Sequence, residues 1–197
     1  MTYDEAEKLL KDAVEFQTTI LESRDKCRKQ YLKTEKEEEN TLRFLIDSQI
    51  AFLAKTLLQK IDTLTPESSY QLGVSCSFIR THFLATDLFM TGDLVESIVL
   101  IRKQLESLTR LCELDSKPLQ KLLGKVPNIQ NVLKKSSGQM YGDLSEVAHF
   151  SKPRVAELLH VAEKGELIAD VSAQNHKGML DFLFKFTVLF FFLAVSS

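Results

Sequence analysis

Along most of this 197-residue chain the apolar side chains recur three and four positions apart, a period that fits helices and not strands. Ala6, Leu9, Ala13, Phe16, Ile20, Ser23 and Cys27 follow the a/d pattern of a helix that pairs with another helix. The same period returns in Leu42, Leu45 or Ile46, Ile50, Leu53, Leu57 and Ile61, and again in Ile98, Ile101, Leu105, Leu108 and Cys112. No segment alternates with period two, and no internal repeat of fixed period is present. Seven Gly and four Pro leave little room for turns, while abundant Leu, Glu, Lys and Gln favour helix. The expected fold is all-α, a single-domain bundle of about six to eight helices spanning residues 1–197.

Punctuation places the helices. The run KTEKEEEN, Lys33 to Asn40, carries no apolar stripe, so a helix there must be solvated or broken. Residues 1–40 then form a long, charged, amphipathic N-terminal helix, and residues 42–195 form the bundle core. Thr65 can cap a third helix whose first turn holds Pro66, where a missing N–H costs nothing. That helix should run to about Met90. Gly92 suits its exit, Asp93 and Glu96 have the spacing of a capping box, and a fourth helix follows from about Leu94 to Leu114. Ser116 to Gly138 is broken by Pro118, Gly124 and Pro127. Helix is expected to resume over Gln139 to Phe150, to restart after Pro153 as far as about Glu163, and to end in a long apolar helix from about Asn175.

A formal net charge of −2 supplies no global basic field, so any nucleic-acid contact must be local. Lys33, Lys36, Lys134, Lys135, Lys152 and Arg154 can supply phosphate contacts, although a charged loop is the plainer reading. Cys27, Cys76 and Cys112 are odd in number and far apart, as expected of small buried thiols in a reducing compartment. The acidic, amphipathic N-terminus differs from a signal peptide. At the other end Phe186 to Val195 is apolar, far short of the roughly 20 residues of a membrane span. A cytoplasmic protein without a membrane span is expected. Its C-terminal or N-terminal helix would serve a buried role or a homodimer interface.

Chemistry concentrates at two helix edges. On the fourth helix Arg102 and Glu106 lie one turn apart on the flank of the buried stripe. In YGDLSEVAHF, Tyr141, Ser145 and His149 flank the apolar line of Leu144 and Ala148. Should the two edges meet, these five residues form one partly buried network, whose upkeep implies either structural specificity or function. The structural version is a bond from Glu106 to His149, or from Arg102 to Ser145, that fixes helix register. In the chemical version His149 passes a proton while Arg102 binds phosphate through its planar fork of donors. Ser145 is a weaker nucleophile candidate, because no G-x-S-x-G elbow surrounds it.

SIVLIRKQLESLTRL, Ser97 to Leu111, followed by a Pro-containing connector and YGDLSEVAHF, resembles a group of uncharacterised bacterial all-helical proteins. That group is similar to the HEPN superfamily of helical bundles, many of them dimeric, metal-independent ribonucleases of defence and toxin systems. The resemblance covers about residues 70–155. It implies a helical dimer directed at RNA, with His149 as proton carrier and Arg102 on the phosphate. The chain departs from the superfamily in one respect: its ribonucleases carry the Arg shortly before the His on one helix. Arg154-x5-His160 meets that spacing and is the second placement, but Pro153 puts it at a helix start.

Two further readings stand beside this one. In the first the same residues are a buried structural network of a non-catalytic interaction or regulatory module. The second is a di-metal carboxylate bundle, because Glu146-x-x-His149 and Glu157-x-x-His160 have the spacing such proteins use. The two pairs sit close together across Pro153, however, where those bundles place each pair in the middle of a long helix. No P-loop, G-x-G-x-x-G, H-E-x-x-H or zinc spacing occurs, and neither cofactor nor metal is expected.

Overall fold

In a computed structural model of the chain, residues 1–59, 65–129, 136–149 and 151 are described. They form an all-α bundle: α1 Tyr3–Thr34, α2 Glu37–Gln59, α3 Pro66–Met90, α4 Leu94–Leu114 and α5 Ser136–Ala148, with a 3-10 turn at Leu119–Lys121 between the last two. The described residues contain no strand. Nor do they contain a helix long and apolar enough to cross a membrane. The expected helices after Pro153 and from about Asn175, and the stripe position Ile61, lie outside the described residues.

Local chemistry explains most boundaries. Thr2 and Glu5 form a capping box at the start of α1: Thr2 Oγ1 accepts from the Glu5 N–H at 3.3 Å, and Glu5 Oε2 accepts from the Thr2 N–H at 2.7 Å. Thr65 and Ser68 repeat the device before Pro66 at the start of α3. The charged run breaks the long N-terminal segment at Glu35–Lys36, as its lack of an apolar stripe implies. Glu35 is more than a solvated charge, though. Its carboxylate accepts from Arg43 Nε at 2.9 Å, from Arg43 Nη2 at 2.8 Å and from the Tyr31 hydroxyl at 3.1 Å, and its side chain is 3% exposed. This bidentate pair fixes the corner between α1 and α2. Burial first, and the Glu35 carboxylate second, push the Tyr31 hydroxyl pKa well above the usual tyrosine value.

The turn between α3 and α4 corrects one expectation. Gly92 takes the left-handed conformation (φ 87°) that a helix exit favours. Asp93, however, makes no side-chain cap with α4. Its carboxylate instead accepts from the Thr91 hydroxyl at 2.6 Å and pairs with Arg24 Nε of α1 at 3.0 Å. Arg28 pairs with Asp87 at 2.5 Å, and Tyr31 stacks edge-on against Phe89 with centroids 5.7 Å apart. The C-terminal third of α1 is thereby held to the end of α3. Competition from a neighbouring helix for the Asp93 carboxylate is what removed the cap.

The core is built from the stripes. Ile46, Ile50 and Leu53 of α2, Phe78 of α3, Leu105, Leu108 and Leu111 of α4, and Ile129 make one buried cluster. Ile46 rather than Leu45 faces inward, Leu45 being 48% exposed. Ser97 is fully buried and donates to the Ala85 carbonyl at 2.9 Å, so a small side chain lets α4 approach α3. Buried Arg110 ties down the connector by donating to the carbonyls of Leu122, at 3.1 Å, and Lys125. Of the three thiols none is fully buried, and Cys76 is exposed, because α3 turns that position away from the stripe Ser75, Phe78, His82 and Ala85.

Candidate functional site

Leu105 and Ile101 dictate where Arg102 and Glu106 point. Each polar residue follows a fully buried apolar one by a single position, about 100° around α4, which sets both on the rim of the core. On α5, Tyr141 and Leu144 pack partly against the same cluster, so the line Tyr141, Ser145, His149 faces the α4 rim. The two edges meet. Arg102 Nη1 lies 3.0 Å from His149 Nε2, Arg102 Nη2 donates to the Tyr141 hydroxyl at 3.1 Å, and Arg102 Nε lies 3.3 Å from that hydroxyl and 3.2 Å from Glu106 Oε1. Tyr141 in turn donates to Glu106 Oε1 at 2.8 Å.

This wiring differs from either structural pairing expected above. Glu106 reaches Tyr141 rather than His149, and Arg102 reaches Tyr141 and His149 rather than Ser145. The bonds joining the cluster do not run through the Ser145 hydroxyl; Ser145 contributes its carbonyl, which accepts the His149 N–H at 3.0 Å. An Arg placed one turn before a Glu is the less favourable order for a helix pair, and such pairs contribute about 0.2–0.5 kcal/mol at best. The intrahelical contact therefore does not account for the arrangement. Tyr141 organises it: its hydroxyl takes guanidinium donors and gives one bond to the carboxylate, while its ring lies 5.1 Å from Arg102 Cζ.

Burial grades outward. The Arg102 and Glu106 side chains are 21% and 29% exposed, and His149, just past the last residue of α5, is exposed. A guanidinium has donors only, so in a hydrogen bond at this distance Arg102 Nη1 donates and His149 Nε2 accepts. The arrangement offers solvent an imidazole beside a cationic fork whose back is already fixed by Tyr141 and Glu106. A donor aimed at Nε2 also occupies the lone pair a metal would need there. Among the described residues no three His, Cys, Asp or Glu side chains gather as a metal would require, and Glu157 and His160 of the di-metal reading lie outside them. Arg154, Lys134, Lys135 and Lys152 are outside them as well, whereas Lys33 and Lys36 are exposed around the α1–α2 corner.

A His–acid pair elsewhere in the bundle escapes a sequence reading centred on the two edges. His82 Nε2 of α3 lies 2.7 Å from Asp47 Oδ1 of α2, and His82 is 2% exposed. Its signal was positional: His82 stands on the stripe of Phe78, Ala85 and Phe89, and Asp47 follows Ile46 directly. The adjoining cavity, walled also by Tyr31, Thr86 and Ser97, measures about 20 Å³, room for about one water. No substrate fits there. His82 is a satisfied core histidine, and the accessible histidine of the two is His149. Comparison of the chain with protein-family models, curated proteins and solved structures finds no match.

Proposed function

We propose that the α4–α5 edge is a metal-independent RNA-cleaving site of a HEPN-like helical protein, in the setting of bacterial defence or toxin systems that the sequence resemblance suggests. The observation that carries this reading is the 3.0 Å approach of Arg102 Nη1 to an exposed His149 Nε2, with Arg102 braced from behind by Tyr141 and Glu106. A phosphodiester oxygen entering the edge replaces His149 as acceptor of the Arg102 donor. His149 Nε2, released, accepts the proton of the adjacent ribose 2′-hydroxyl as that oxygen attacks phosphorus. The P–O bond to the 5′-oxygen breaks, the leaving oxygen takes a proton from solvent water at this exposed edge, His149 later returns its proton to solvent, and the products are a 2′,3′-cyclic phosphate and a 5′-hydroxyl. Arg102 stabilises the charge that builds on the phosphoryl oxygens. Incubation with structured RNA and tRNA in EDTA, followed by analysis of the product termini, tests the reading; intact RNA would refute the enzymatic form.

A second reading is favoured by one specific feature, the number of bonds converging on the Tyr141 hydroxyl. In it the network serves as a register lock between α4 and α5 of a regulatory or interaction module, and His149 is incidental. The two separate on His149→Ala, which abolishes cleavage in the first and leaves every property nearly unchanged in the second. A cytoplasmic homodimer accompanies the first reading.

A further inference from the structure

α2 is apolar on two opposite sides. Ile46, Ile50 and Leu53 face the core, yet Phe44, Leu45 and Phe52 are 68%, 48% and 59% exposed. At 100° per residue Phe44, Leu45, Ser48, Ala51 and Phe52 share one sector of about 120°, centred opposite the core stripe. All five are exposed. A contiguous apolar stripe on the solvent side of an already amphipathic helix marks a surface that another element covers.

We propose that the same stretch of α2 in a second copy of the chain covers it, running antiparallel about a twofold axis at Ser48. Side-chain sizes suit that axis: Phe44 and Phe52 lie four positions to either side of Ser48, and Leu45 and Ala51 three. An antiparallel pairing therefore sets Phe44 beside the partner's Phe52 and the larger Leu45 level with the partner's smaller Ala51. The two small Ser48 side chains meet on the axis, where they let the helices approach. Opposite charges stand at the two ends of the stripe. Lys55 falls beside the partner's Thr41, one turn from the partner's Glu37 and Glu38. These charges are uncommitted: Glu39 makes the bond to the Lys36 N–H, and Glu37, Glu38 and Lys55 form no ion pair among the described residues. Each contact occurs twice, and the pairing closes at two chains. Four Phe rings with their leucine and charged neighbours bury on the order of 1,000 Å² in total, the low end for a specific interface, so a micromolar dimer is expected. The proposal names a face for the homodimer and rests on none of the cleavage chemistry: intact RNA leaves it standing, and a monomer that cleaves RNA overturns it alone.

Sedimentation equilibrium of the full chain over about 1–100 µM tests it, with the wild type expected to pass from monomer to dimer and Phe52→Glu to stay monomeric with unchanged circular dichroism. Lys55→Glu should weaken the dimer about tenfold, and adding Glu37→Lys with Glu38→Lys should restore it. Crosslinking in a Cys27→Ala, Cys76→Ala background reads the register. Two Ser48→Cys thiols meet on the axis and oxidise to a covalent dimer, whereas two Thr41→Cys thiols stand about 21 Å apart along the pair and do not. A monomeric wild type overturns the proposal, whether the face is then found covered by the chain's own residues after Pro153 or by a different protein. A dimer that persists in Phe52→Glu, that crosslinks through Thr41→Cys as readily as through Ser48→Cys, or that the charge exchange does not restore, overturns it equally.

Discussion

Arg102 and His149, 47 positions apart in the chain, touch through Nη1 and Nε2 at 3.0 Å. The contact exists because two helices whose apolar stripes meet at Leu105, Leu108, Tyr141 and Leu144 carry their polar residues one position off those stripes. The chemistry follows from the packing and needs no separate device to assemble it.

Tyr141→Phe tests whether the hydroxyl organises the cluster. The ring and its packing stay, while the acceptor of two Arg102 donors and the donor to Glu106 are lost. The expected cost is about 1–2 kcal/mol, read as a drop in melting temperature of roughly 2–8 °C for a chain of this size. His149→Ala, at an exposed position, should move the melting temperature by less than about 2 °C.

The opposite ranking is expected at the buried histidine. His82→Ala removes the partner of Asp47 and opens space in the core, and should cost about 2–4 kcal/mol in the urea midpoint with an unchanged m-value. Asp47→Asn keeps a hydrogen-bonding group in place and should cost about 1 kcal/mol. Equal effects of the two would contradict the account of His82 as a satisfied core residue.

At the α1–α2 corner, Arg43→Lys is expected to behave as a disruptive change. Lysine cannot reproduce the two parallel bonds to a Glu35 side chain that is 3% exposed. A loss of about 1–3 kcal/mol by thermal melting is expected, with Arg43→Met losing about 3–5 kcal/mol.

The thiols should react in order of exposure. Burial first, with the Asp115 carboxylate adding to it, pushes the Cys112 thiol from 9.0 up to about 11, whereas Cys76 is exposed. Iodoacetamide at pH 8 is expected to label Cys76 first and Cys112 last, as read by mass spectrometry of peptides. The folded state holds the Cys112 proton more tightly than the unfolded chain does. Its stabilising contribution is thus complete below pH 9.0 and is lost as pH rises from there through about 11. Cys112→Ser should flatten the decline in stability over that window.

Most of the helical layout could be read from the chain, because Gly92, Thr65-Pro66 and the stripes of α2 and α4 act through bonds a few residues long. The limits of α4 at Leu94 and Leu114 coincide with the expected ones for that reason. Reading failed where a distant partner decided the outcome. Asp93 had the spacing of a cap and was taken by Thr91 and Arg24 instead. Glu35 looked like one more solvated charge, until Arg43 enclosed it. Arg102 and Glu106 were legible as one edge because each follows a buried stripe residue, and Tyr141 and His149 as another because they flank the apolar line of Leu144 and Ala148. Their actual bonds were not legible, since which atom meets which depends on the axial offset of α5 along α4, which sequence spacing does not encode. The Asp47–His82 pair was hidden for the same reason.

The central claim is that the Arg102–His149 edge cleaves RNA, and one measurement addresses it most directly: the rate of tRNA cleavage in EDTA by wild type and by His149→Ala at equal concentration. The account predicts wild-type cleavage ending in 2′,3′-cyclic phosphate, and a loss of about 10²–10⁴-fold in His149→Ala with its melting temperature retained. Intact tRNA with the wild type, or equal rates for the two proteins, would contradict it.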